Sequence, residues 1–391
     1  MSESVISSIQ ELLEKHHLTG WLFYDFRRTN TLACQVLNIS NEAHLTRRFF
    51  YWVPAAGDPV KIVNRLEEHV LDHLPGDILS YQTWKDLQVC LKKTLPNEAV
   101  VAMEYSPLNN IPYISKVDAG TVDLIRACGV EVVSSANLLQ AYTAVLTPDQ
   151  IHSHITAAKV LNKIADLTWE YVAKGKGLNE YDVQQFILQQ IHAHDCITES
   201  APHCAVNANS ANPHYCPSAE RHVPIEKGDF VLIDLYCKCD IPDAVFADIT
   251  RVAVLAAEPT AKQVEVFSIV KDAQETATKF VKERITNDIP VYGWEVDHVT
   301  RKVIADAGYG DYFVHRTGHN LGKSVHGDGV NLDNYESHDT RELLPSTCFT
   351  IEPGIYLPGE FGIRQEYDVL IHPKRKVEVT GGNQKEIICL S

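Results

Sequence analysis

Four carboxylates interrupt segments that otherwise carry the apolar, β-branched content of buried strands, and no other feature constrains this chain as much. Asp234 falls within Phe230 to Tyr236, and Asp248 within Val245 to Leu255. Glu352 follows Phe349-Thr350-Ile351, and Glu366 sits in Gly362-Ile363-Arg364-Gln365-Glu366-Tyr367-Asp368-Val369. Water solvates a carboxylate so well that burying one alone is costly, so each needs a hydrogen-bonding set, a salt bridge or a metal ion. Taken singly, each acid reads more readily as a surface or salt-bridged group, and Arg251 offers an ordinary partner for one of them.

The run His315-Arg316-Thr317-Gly318-His319-Asn320-Leu321-Gly322, followed by Val325-His326-Gly327, is too rich in glycine for a stable helix and reads as a loop holding three imidazoles. Asn212-Pro213-His214-Tyr215 offers a fourth imidazole in a turn. Together, Asp, Asp, His, Glu, Glu in that order supply mostly hard oxygen donors plus one nitrogen, a set that suits a pair of divalent cations. In two-metal hydrolases the ions stand about 3.5–4 Å apart and depress the pKa of a shared water, so that hydroxide is available at neutral pH.

The 391 residues suggest two or three domains at about 100–200 residues each. Val5, Ile9, Leu12 and Leu13 recur at helical spacing, and the apolar strand Trp21 to Tyr24 follows. Phe49 to Val53 and Val60 to Val63 flank Ala55-Ala56-Gly57-Asp58 like a hairpin, and Ala99 to Met103 and Val130 to Val133 read as further buried strands. This predicts an α/β domain over 1–145. Leu146-Thr147-Pro148-Asp149 punctuates the chain before an amphipathic run from Gln150 to about Val172, with Thr147 as N-cap. Helical periodicity over 180–195 and 260–286, with the strands named above, predicts an α+β domain with antiparallel hairpins over 148–391.

A formal net charge of −16 argues against binding nucleic acid or an anionic membrane surface. The ten cysteines are scattered, as expected of reduced cytosolic thiols, and the pair Cys237 and Cys239 would share one strand face as apolar filler. The opening residues, with Glu3, Glu11 and Glu14, lack the basic start and apolar run of a signal peptide, and no stretch of about 18 apolar residues occurs. The expectation is a cytoplasmic protein.

On these motifs the sequence resembles the pita-bread-fold metallopeptidases, which comprise Xaa-Pro aminopeptidases, Xaa-Pro dipeptidases (prolidases) and methionine aminopeptidases. The likeness rests on Asp234, Asp248-Ile249-Thr250-Arg251, the His315 to His319 loop, Val325-His326, Ile351-Glu352-Pro353-Gly354 and Gly362-Ile363-Arg364 with Glu366, and covers nearly all of 148–391. Gly20 to Arg28 and Thr46-Arg47-Arg48-Phe49-Phe50-Tyr51 are similar to the creatinase-type N-terminal domain of the proline-specific members. The resemblance implies an α/β N-terminal domain plus an α+β C-terminal pita-bread domain. It implies a metal-dependent exopeptidase that hydrolyses the Xaa-Pro bond at the N-terminus of short peptides or dipeptides through a hydroxide bridging two metals. Asp234 would bind one ion, His319 and Glu352 the other, and Asp248 and Glu366 both. His214, His315, His326 and Arg364 would bind substrate and stabilise the tetrahedral intermediate, with Glu352 also carrying the proton. The implied cofactor is two divalent ions, Mn(II) first, then Co(II), Zn(II) or Fe(II), and the implied assembly is a homodimer.

Two positions depart from that pattern. The interval from Asp234 to Asp248 is longer than usual, which a hairpin turning near Asp240 to Asp243 would absorb, with Asp240 and Asp243 as rival ligands. Tyr367 stands where the family keeps an acid after Glu366. Two other readings stay open: a methionine aminopeptidase-type enzyme, which needs neither a first domain nor Arg364, and a non-catalytic module that binds peptides without metal.

Overall fold

Residues Ile6, Ile9 and Leu13 bury one face of helix α1 (Glu3–Lys15) in the computed structural model, and the chain then enters strand β1 (Gly20–Asp25), buried along its whole length. The structure describes residues 3–390 and separates into two units, one ending at Thr143 and one starting at Ala144. In the first unit follow α2 (Thr31–Val36), β2 (Phe49–Pro54), β3 (Val60–Asn64), β4 (Asp77–Tyr81), α3 (Trp84–Thr94), β5 (Val100–Met103), α4 (Ala119–Arg126), β6 (Glu131–Ser134) and α5 (Ala136–Thr143). They form one sheet of order β4-β3-β2-β1-β5-β6, in which β2 runs antiparallel to both neighbours and the remaining pairs are parallel. Strand alternation sends Trp21, Phe23, Phe49 and Tyr51 into one core and Leu22, Tyr24, Phe50 and Trp52 into another. Two covered faces explain why these strands read as unbroken apolar runs rather than alternating ones.

The second unit opens on α6 (Pro148–Lys174), whose first turn is closed reciprocally: Thr147 accepts from the Gln150 N–H while the Gln150 side chain accepts from the Thr147 N–H. After α7 (Glu180–Ala193) come β7 (Cys196–Ile197), β8 (His203–Val206), β9 (Phe230–Cys239) and β10 (Ala247–Val254). Helices α8 (Ala261–Thr286) and α9 (Gly293–Asp306) follow, then β11 (Asn320–Leu321), β12 (Thr347–Ile351), β13 (Gly354–Leu357), β14 (Phe361–Arg364), β15 (Tyr367–Ile371), β16 (Val377–Val379) and β17 (Ile388–Cys389). One sheet has the order β17-β10-β9-β7 with β8 also on β9, and a second has the order β11-β12-β15-β16. A single bridge between Thr250 and Glu366 joins them, and β13 and β14 form a separate hairpin. Ala157, Leu161 and Ile164 of α6 pack on Ile233, Leu235 and Ile249, while Val266, Phe267 and Val270 of α8 pack on Phe230, Val252 and Ile363. The two sheets with the helices packed on them make the α+β architecture expected for this half.

The structure differs from the sequence reading in two places. Strand β9 runs three residues beyond Tyr236, because β7 pairs with its far end. The glycine-rich segment is not all loop: Asn320 and Leu321 pair with Phe349 and Cys348. Gly318 permits that approach, since a Cβ there would lie 2.1 Å from the Thr350 carbonyl oxygen.

Candidate metal centre

The β9/β10 hairpin sets Asp234 opposite Thr250 and Asp248 opposite Tyr236, so period-two alternation turns Asp234, Asp248 and Thr250 to one face. In the second sheet Ile351 pairs with Tyr367, which places Glu352 and Glu366 just past the ends of β12 and β15. The Thr250 to Glu366 bridge brings those ends onto the hairpin. His319 is docked there by reciprocal bonds: its N–H donates to Thr350 Oγ1 at 3.0 Å, and the Thr350 N–H donates to the His319 carbonyl at 2.9 Å.

One donor atom each from Asp248, His319 and Glu366 lie within 4.8 Å of one another, all three residues buried. His319 Nε2 stands 3.7 Å from Asp248 Oδ2 and 3.4 Å from Glu352 Oε1. Asp234 is held from the side, its Oδ2 accepting from Arg364 at 2.5 Å with His203 Nδ1 at 3.7 Å. Asp240 and Asp243 are not part of this group: both are exposed at the hairpin turn, and Asp243 pairs with Lys323. Arg251 is not the ordinary partner of a site carboxylate either. Its guanidinium donates to the carbonyls of Thr250, Glu366 and Gly381 and to Asn162, and so ties the two sheets together.

The electrostatics describe a site with too much negative charge. Burial, then the charges of Glu366, Asp234 and Glu352, push the Asp248 carboxyl well above its ordinary range. Glu366 is raised in the same way by burial, Glu352 and Asp234, against the opposing pull of Arg364. Glu352 is pushed up to about 7, mainly by burial, with Arg364 and Arg316 opposing. His319 is held neutral by burial and by its neighbours His326 and Arg316. Its Nδ1 lies 3.2 Å from the Asn320 carbonyl, a contact that is favourable only for Nδ1–H. The lone pair of Nε2 therefore faces two carboxylates, and Asp248 Oδ1 is buried with no hydrogen-bond partner among the described residues. The donors present fit a divalent cation, whose charge would offset these carboxylates.

Around this group runs a polar chain. Thr250 Oγ1 donates to Glu366 at 2.7 Å and accepts from Arg364 Nε at 3.0 Å. Arg364 also donates to Tyr356 at 3.1 Å, and the Tyr356 hydroxyl lies 2.7 Å from His315 Nε2. The His326 ring stands edge-on to His319 with centroids 4.4 Å apart. His214 is exposed on its turn, yet close enough for its charge to lower the pKa of both His203 and His326. Three participants carry no mark in the sequence. His203 gains its place through the β8 register, opposite Asp234, and Tyr356 through the β13/β14 hairpin. Asp368 lies one position beyond the expected acid and on the same strand face as Glu366, where both its oxygens accept from the Asp248 N–H, at 3.1 and 3.2 Å. Tyr367 points the other way and bonds Thr278.

Residues 152–373, more than half of the chain, match the model of metallopeptidase family M24. The chain belongs to that family. M24 proteins are dinuclear metal enzymes, and the group around Asp248, His319 and Glu366 is this member's candidate metal site. An Xaa-Pro dipeptidase of Lactobacillus delbrueckii subsp. lactis is 32% identical over 218 residues, 55% of this chain and 55% of that protein. The Xaa-Pro dipeptidase of Lactobacillus helveticus is 36% identical over 158 residues, 40% of this chain and 38% of the relative. This M24 chain thus spans about half the length, or less, of the curated relatives it matches. Among solved structures, a prolidase from Thermococcus sibiricus superposes with a TM-score of 0.61 at 26% identity, covering 100% of this chain and 99% of that one. Dipeptidase PepE from Mycobacterium ulcerans gives 0.69 at 22% identity over 99% and 97%.

Proposed function

We propose that this M24 protein is a metallo-exopeptidase that hydrolyses the Xaa-Pro bond at the amino end of dipeptides or short peptides. The observation that carries this reading is the neutral His319 facing two carboxylates beside the unpartnered Asp248 oxygen, with Arg364 and His315 lining the same group. The relatives described as Xaa-Pro dipeptidases and prolidases support it. Proline has no N–H and restricts the residue before it, so a protease that grips an extended backbone handles it poorly and a dedicated pocket is needed.

Asp234, Asp248, His319, Glu352 and Glu366 would hold two divalent ions, Mn(II) first, with Co(II), Zn(II) or Fe(II) as alternatives. When bound, such ions supply Lewis acidity and lower the pKa of water. The protein's own groups do the rest. Glu352 would take a proton from water at one Oε and return it to the proline nitrogen, which leaves only when protonated. His326 donates to the carbonyl oxygen as charge grows there. Tyr356 bonds both Arg364 and His315, so substrate meets two groups whose orientations are fixed in advance. His214, on its exposed turn, contacts the outer end of the substrate. A homodimer and a cytoplasmic location complete the proposal; among the described residues no helix is long and apolar enough to cross a membrane.

The test compares initial rates on an Xaa-Pro dipeptide, on the same pair extended by several residues, and on the matching Xaa-Ala peptides. Strong preference for proline at the second position is expected, and the ratio of the two lengths separates dipeptidase from aminopeptidase. Equal or faster cleavage of the alanine peptides by metal-loaded protein would overturn the proposal.

A further inference from the structure

Three thiols meet at the far end of β9, on the side away from the candidate metal centre. Alternation places Leu235, Cys237 and Cys239 on the face opposite Asp234 and Tyr236. Cys196, which opens β7, stands directly across from Cys239 in the antiparallel ladder, and its thiol also interacts with that of Cys237. Directly opposed antiparallel residues point to the same face with Cα atoms about 4.5–5.5 Å apart, inside the window of about 4.4–6.8 Å that a disulfide requires. All three are free thiols. Cys237 and Cys239 alone look like apolar filler; the distant Cys196 changes their chemistry.

We propose that Cys196 and Cys239 are a modification site, joined by a disulfide when a small hydroperoxide oxidises the protein. Of the three, Cys196 is the thiol that ionises most readily: contacts with Cys237 and then Cys239 lower its pKa against burial. Cys237 and Cys239 are pushed up and keep their protons. Cys196 is buried, but it lies on a two-residue strand at the edge of its sheet, next to the exposed Asp195, which has a left-handed φ of 54°. So short an edge opens at little cost, and Cys239 is itself partly exposed.

The steps balance. The Cys196 thiolate attacks one peroxide oxygen, the O–O bond breaks, and the departing oxyanion takes a proton from water, leaving Cys196 as a sulfenic acid. The Cys239 sulfur then attacks the Cys196 sulfur, the S–S bond forms, the S–O bond breaks, and the leaving hydroxide takes the Cys239 proton as water. The two thiols lose two electrons and the peroxide gains them. The closed loop contains His203, His214 and Asp234, so the bond staples the segment bearing those imidazoles to the strand bearing that acid.

The full chain is treated with hydrogen peroxide, quenched, alkylated with N-ethylmaleimide in denaturant, digested without reduction and mapped by mass spectrometry. A linked pair of peptides containing Cys196 and Cys239 is expected, lost on adding dithiothreitol and absent in Cys196→Ser. The proposal is overturned if both cysteines stay alkylated at a peroxide dose that oxidises the exposed Cys389, or if Cys196 is found linked to Cys237. Because the unmodified chain alone decides between these outcomes, a folding defect in the serine variant does not weaken the test.

Discussion

At the scale of the single residue, the site is governed by what each buried group has to compensate it. His319→Ala removes the one nitrogen donor and leaves Asp248, Glu352 and Glu366 crowded together. Metal content measured by elemental analysis should fall, and turnover should drop by orders of magnitude. His326→Ala should keep its metal but lose about 10²–10³-fold in kcat, the effect seen where a donor to a developing oxyanion is removed. Unchanged kcat with a raised KM would instead make His326 a substrate-positioning group. Asp368→Ala strands the buried Asp248 N–H and should cost about 1–3 kcal/mol in denaturant unfolding. Asp234, Asp248, Glu352 and Glu366 could be picked out as candidates because acids are conspicuous in apolar strands, and the structure draws Asp248, His319 and Glu366 together. Asp368 was not, because its role depends on which strand face one further residue occupies, and the pleat decides that only once the β12/β15 register is known.

At the scale of the element, local signals served best where the chain settles its own geometry. Thr147, Pro148 and Gln150 announce the start of α6 because the capping bonds are made within four residues. Strand β11 was hidden, since two residues in a glycine-rich run pair only because Gly318 lets the Thr350 carbonyl approach. His203 was hidden because it reaches the site through pairing with the distant Asp234, and Tyr356, although its hairpin is local, because the His315 it bonds lies far away in the sequence. Gly318→Ala should therefore act like a lesion in the metal site. A Cβ meeting backbone at 2.1 Å forces His319 and β12 apart, so metal affinity should fall even in protein whose circular dichroism spectrum is unchanged. Native metal affinity in that variant would show that the approach is not needed to place His319.

At the scale of the whole molecule, each unit buries its own core, and all the candidate ligands lie in the second. A chain beginning at Ala144 should thus still bind divalent metal, measured by elemental analysis, and loss of binding would show that the site depends on the first unit. On the proposed function, the carboxylate and imidazole group is a metal centre that hydrolyses Xaa-Pro bonds. The decisive measurement strips the 391-residue chain with chelator, confirms removal by elemental analysis, and titrates Mn(II) while following Xaa-Pro hydrolysis. The stripped protein should be inactive, and recovery should rise with bound metal and saturate near two ions per chain. Full hydrolysis by verified metal-free protein would contradict it.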